Sequence, residues 1–131
     1  MGIKYFDAPD VRKIAYEVVS LLGWNHVSLE NVGFLRSTGS TAKYTIARCH
    51  ALGKAMRLAM GRKKSFYLIE VISEKYDKLS PEEKKKTVIH ELMHIPKSFG
   101  GGFVHHDKVH DKSVDEVYQR YVDLKRKIGW L

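Results

Sequence analysis

The chain has 131 residues, 44% hydrophobic and 29% charged, which fits one globular domain over residues 1–131 and excludes a disordered or fibrous chain. Its 23 Lys and Arg outnumber 15 Asp and Glu, and the net charge of +8 suits nucleic acid, anionic lipid or acidic protein partners, or simply a solvated Lys- and Glu-rich surface. The lone Cys49 can form no internal disulfide, no apolar run could span a bilayer, and Met1–Asp7 lacks the apolar stretch of a secretion signal, so a cytoplasmic protein without membrane contact is expected.

The first predicted element is a helix from about Pro9 to Leu22. Val11, Ile14, Ala15, Val18, Leu21 and Leu22 recur at helical spacing, and Gly23 is a suitable stop. Val32–Arg36 and Ala42–Arg48 read as two strands. The turn-forming cluster Thr38-Gly39-Ser40-Thr41 between them predicts a hairpin. The stretch from Leu52 to Met60 reads equally as a short helix or an irregular crossing. Ser65–Ile72, rich in β-branched and aromatic residues, is the clearest strand. Two helices follow, each opened by a capping box: Ser80-Pro81-Glu82-Glu83 and Ser113-Val114-Asp115-Glu116. They are predicted over Pro81–Ile95, stopped by Pro96, and from Val114 to about Lys127. The loop between them, Lys97 to Lys112, is rich in glycine and histidine.

Chemistry concentrates in His90-Glu91-Leu92-Met93-His94. Two histidines four apart on a helix project from one face, and two ring nitrogens can then reach one ion at about 2.0–2.1 Å. Glu91 lies on an adjacent part of the helix. It can approach the ion without ligating it and take a proton from water bound there. Chance produces so short a pattern, but Val88, Leu92 and Ile95 make an apolar stripe that would bury this helix, and buried histidines need partners. Five of the seven histidines also fall between His90 and His110. A catalytic zinc takes three protein ligands. His105, His106, His110, Asp107, Asp115 and Glu116 are all available as the third, and spacing alone does not choose among them.

Other residues carry weaker signals. Tyr118 and Tyr121 are candidates to stabilise an oxyanion, though such tyrosines are more often packing residues. Arg48-Cys49-His50 places a thiol beside an imidazole, but no third orienting group accompanies them. Gly100-Gly101-Gly102 reads as a loop that brings backbone close to the site, and it lacks the Gly-Lys-Ser/Thr ending of a phosphate loop.

The run from Thr87 through the HELMH segment to Gly102 resembles the core of the phage and archaeal metallopeptidase family, which is related to the SprT-like zincins. Tyr67–Ile72, followed by Tyr76-Asp77-Lys78-Leu79-Ser80, is similar to the strand and connector before that family's active helix. The resemblance implies an α+β, zincin-like fold: a small, mostly antiparallel sheet packed against an N-terminal helix, the His90–His94 helix and a C-terminal helix. It also implies one Zn2+ per chain held by His90, His94 and, at the position that best matches the family's later histidine, His106. The implied activity is peptide-bond hydrolysis, with Glu91 activating the zinc-bound water and a peptide or protein as substrate. An extended peptide would pair with the edge of the Phe66–Ile72 strand. Two alternatives stand beside this: a nucleic-acid-associated SprT-like protease using the basic surface, and a non-catalytic zinc module whose open position is filled by an extra histidine.

Overall fold

The computed structural model describes residues 2–129. Strand β1 (Lys4–Asp7) leads into helix α1 (Pro9–Leu22), and after a 3-10 turn at Leu29–Asn31 the chain forms β2 (Val32–Thr38). Then come β3 (Ala47–Ala51), α2 (Lys54–Ala59), β4 (Tyr67–Ile72) and the single turn α3 (Ser73–Tyr76). Two longer helices close the order, α4 (Pro81–Met93) and α5 (Asp111–Gly129). The fold is α+β, as expected. No described helix is long and apolar enough to cross a membrane.

The sheet is four-stranded, in the order β1-β2-β4-β3. Its outer pairs are antiparallel and its central pair, β2 with β4, is parallel. The sheet is therefore mixed, and two expectations need correction. The hairpin of Val32–Arg36 with Ala42–Arg48 does not form: β2 pairs with β1 and β4, and the second strand begins only at Ala47. Residues before it are held as a loop, with Lys75 Nζ donating to the Ala42 and Thr45 carbonyls. The second correction concerns β4, which lies between β2 and β3 and has no free edge for a peptide. Its burial agrees with that place. Tyr67, Ile69 and Val71 are fully buried on one face, and Glu70 and Ile72 are 1% exposed on the other.

One face of the sheet carries the helices. Val32 and Phe34 of β2 stand beside Tyr67 and Ile69 of β4 and meet Val11, Ala15 and Val18 of α1 and Val88, Ile89 and Leu92 of α4 in one buried cluster. Helix α1 ends as its sequence predicts, with Gly23 at φ 65° accepting the left-handed turn. Ser80 caps α4, its hydroxyl accepting the Glu83 N–H at 3.2 Å, and Pro81 sits at the first helical position. Helix α4 stops at Met93, two residues before the expected end. Helix α5 begins at Asp111, ahead of the second capping box. Ser113 instead serves the preceding turn, donating to Lys108 O at 2.8 Å and accepting the His110 N–H at 3.0 Å.

Candidate functional site

A cavity of about 890 Å3 opens between β3, the outer face of α4 and the loop that follows it. That volume lies within the usual range of ligand-binding clefts. His90, Glu91, His94 and His106 all line it. The ligand-capable nitrogens of His90, His94 and His106 lie within 4.8 Å of one another. Their rings stand 4.7 to 5.5 Å apart, centre to centre.

Each imidazole arrives by its own route. His90 is in the last turn of α4, and His94 follows one residue after the helix. The loop then returns across the helix end and is clasped there. The Val104 N–H donates to the His94 carbonyl at 2.8 Å, and His94 Nδ1–H donates to the Val104 carbonyl at 2.5 Å. Because a carbonyl can only accept, this second bond fixes the tautomer and leaves Nε2 of His94 with its lone pair for the cavity. His106 stands two residues beyond the clasp. Farther back, the fully buried Tyr67 pins the same loop: its hydroxyl donates to Gly102 O at 2.8 Å and accepts the Gly101 N–H at 2.9 Å. Gly101 takes φ 96°, a conformation a side chain would strain.

The electrostatics favour neutral donors. Burial, helped by the neighbouring charges of His94 and His106, pushes the His90 imidazole down to about 4, against the opposing pull of Asp111. Burial also lowers His94, partly offset by the Val104 carbonyl. Three imidazoles with converging nitrogens are the donor set that a divalent transition metal takes. Glu91 is 7% exposed, and burial pushes its carboxyl up to about 7.

The other candidates are placed differently. His105 borders the cavity but stands outside the three-histidine group. His110 Nδ1 accepts the Ser113 N–H at 3.3 Å. Asp115 is paired with Lys86 at 3.1 Å, and Asp107 and Glu116 do not line the cavity. Tyr121 is buried and donates to Glu17; neither it nor Tyr118 lines the cavity. The Cys49 thiol does line the cavity, but burial, reinforced by the Glu91 charge, pushes it up to about 12. His50 turns away to bind Glu70 at 2.7 Å, so no Cys-His pair forms. Sequence reasoning missed the Val104 clasp and the Tyr67 pin. Val104 acts through its backbone and leaves no signal. Tyr67 left a faint one, a buried tyrosine whose hydroxyl needed a partner.

Fold and cavity together define an α+β domain with a three-histidine group able to hold a metal ion. The model of the family described as Putative phage metallopeptidase matches residues 3–126, and the chain belongs to that family. Membership implies a metal ion, and the histidine group provides donors that fit one. No curated protein and no solved structure matches the chain.

Proposed function

We propose that the chain is a zinc metallopeptidase that hydrolyses peptide bonds, with His90, His94 and His106 as ligands and Glu91 as the proton-transfer group. The observation that carries this is the opening of one buried carboxyl and three converging imidazoles into a single cavity. When bound, zinc would polarise a peptide carbonyl and lower the pKa of its water to about 7. Glu91 sits on α4 between His90 and His94 in sequence, yet its carboxyl is not among the three gathered donors. It is available to take a proton from attacking water and return it to the leaving nitrogen. His94 is held by Val104 and its orientation is set before any ligand arrives. The strand that borders the cavity is β3, which has an outer edge because it ends the sheet. An extended substrate can therefore add to β3, rather than to the strand that precedes the active helix. The helix, the strand beneath it and the later histidine also support kinship with SprT-like zincins.

Glu91→Gln tests this assignment. It keeps the shape and removes the base, so peptide hydrolysis should fall by about 10²–10⁴-fold. Zinc content, measured by elemental analysis on the same preparations, should stay near one per chain. Loss of zinc in the variant would make Glu91 a metal support, and equal hydrolysis would remove it from the reaction.

A further inference from the structure

Phe103 borders a second hollow as well as the main cavity. This one holds about 210 Å3, and the residues around it include Ala51, Lys54, Arg57, Ser65 and Gly101. Strand β3 connects the two spaces: Ala47 to Cys49 line the larger and Ala51 the smaller. A strand advances about 3.4 Å per residue, so Cys49 and Ala51 are separated by about 7 Å, or two residues of a chain laid along β3. Separate ligand sites usually exceed about 300 Å3. The smaller hollow therefore suits one side chain of a ligand whose main chain occupies the larger.

Its charge is one-sided. Among the described residues, no carboxylate lines it. The connection from residue 52 to 66 carries Lys54, Arg57, Arg62, Lys63 and Lys64, and no Asp or Glu. Arg57 Nη1 donates to the Lys63 carbonyl at 2.5 Å, which fixes the guanidinium while leaving further N–H groups to offer. Lys54 is exposed at the start of α2. The larger cavity has no such basic bias, since Glu83, Glu91, Asp111 and Asp115 line it together with Arg48 and Lys86.

We propose that the hollow bounded by Lys54, Arg57 and Phe103 is a substrate subsite for an acidic side chain, about two residues from the peptide bond that is cut. The proposal rests on the peptidase reading above and supplies its substrate preference: chains with Asp or Glu at one fixed distance from the cleaved bond. Ion pairs at so open a site are individually weak, so the expected preference over the matching amide is about three- to tenfold. It should shrink as salt is raised.

Two measurements test it together. Fluorescence anisotropy with the Glu91→Gln protein compares peptides that carry Glu, Gln or Lys at a single scanned position. Product masses from the zinc-loaded unmodified protein then locate the cut. A Glu preference at one position, abolished or turned to Lys by Lys54→Glu, supports the subsite. Lys54 is exposed, and the gain of Lys-peptide binding shows that the variant is folded. Equal binding of the three peptides, or a Glu preference untouched by both Lys54→Glu and Arg57→Glu, overturns it. If no peptide is cut, the hydrolytic reading fails, and the anisotropy result still decides the subsite.

Discussion

Tyr67→Phe removes one oxygen atom, and the structure says what that oxygen holds. The ring should stay where it is, packed edge-on against Phe99 at 4.9 Å and Phe103 at 6.1 Å between ring centres. Two hydrogen bonds to the loop vanish, one to Gly102 O and one from the Gly101 N–H. A typical intramolecular hydrogen bond contributes about 0.5–1.5 kcal/mol net, so the pair contributes about 1–3 kcal/mol. Gly102 is exposed and its carbonyl can turn to water, whereas Gly101 is half-buried and its N–H loses more. That places the expected loss at about 1–2 kcal/mol, a shift of about 0.5–1 M in the urea midpoint for a domain of this size. The same loop carries Val104 and His106, so the loss should extend to metal binding. The His94–Val104 clasp remains and limits the damage. Zinc affinity should fall by about tenfold, at the low end of what outer-shell partners give. Urea titrations of the metal-free protein and competition titrations with a zinc chelator measure the two effects separately. An unchanged midpoint together with unchanged zinc affinity would refute the idea that Tyr67 positions the loop.

Two further outcomes are expected. His106→Ala should weaken zinc binding far more than His105→Ala or His110→Ala, as read by chelator competition; release of zinc by Glu116→Ala instead would mean a two-histidine, one-glutamate site. The second outcome concerns acid stability. Burial raises the Asp10 carboxyl, but Arg36, bonded to it at 2.7 Å, outweighs that and holds it below the ordinary carboxylate value. The folded value then lies below the unfolded one, so its contribution is complete above the unfolded pKa of about 3.9 and is lost as pH falls through the folded value. Asp10→Asn should flatten that acid limb in melting curves taken between about pH 5 and 2, and an identical limb in both proteins would exclude this pair as a cause.

Legibility in the sequence followed the range of the signal. Helix α1 was readable to its end because periodicity and Gly23 are both local. The start of α4 was readable because Ser80 and Pro81 sit next to what they cap. The same rule misled at Ser113, whose hydroxyl found nearer partners in the turn before the helix. Strand β1 left no trace, since all four of its residues are exposed and no alternating face marks it. The pairing of β2 with β4 was hidden for another reason. A hairpin is specified by its turn, but a parallel pair is specified only by the fit of two buried faces, here Val32 and Phe34 beside Tyr67 and Ile69.

The site divides along the same line, and the division bears on how it works. His90, Glu91 and His94 could be named together because helical spacing alone juxtaposes them. His106 could be named only by family resemblance, since its distance from His90 depends on a loop whose course the sequence does not encode locally. The structure fixes that course at two points, Tyr67 and the end of α4. Tyr67 is also the first residue of β4, where it faces Ala51 of β3 across the antiparallel pair. One buried side chain thus ties the loop carrying His106 to the strand pair whose edge borders both cavities. A chain laid along β3 would press on Phe103, which packs against that same tyrosine at 6.1 Å. Substrate and metal would therefore share a support, so bound metal should tighten peptide binding and bound peptide should tighten metal binding by the same factor. Anisotropy with the Glu91→Gln protein, with and without zinc, measures one side of that equality, and chelator competition with and without peptide measures the other. Tyr67→Phe should weaken the coupling in both directions. Coupling that survives the substitution undiminished would place the shared support elsewhere.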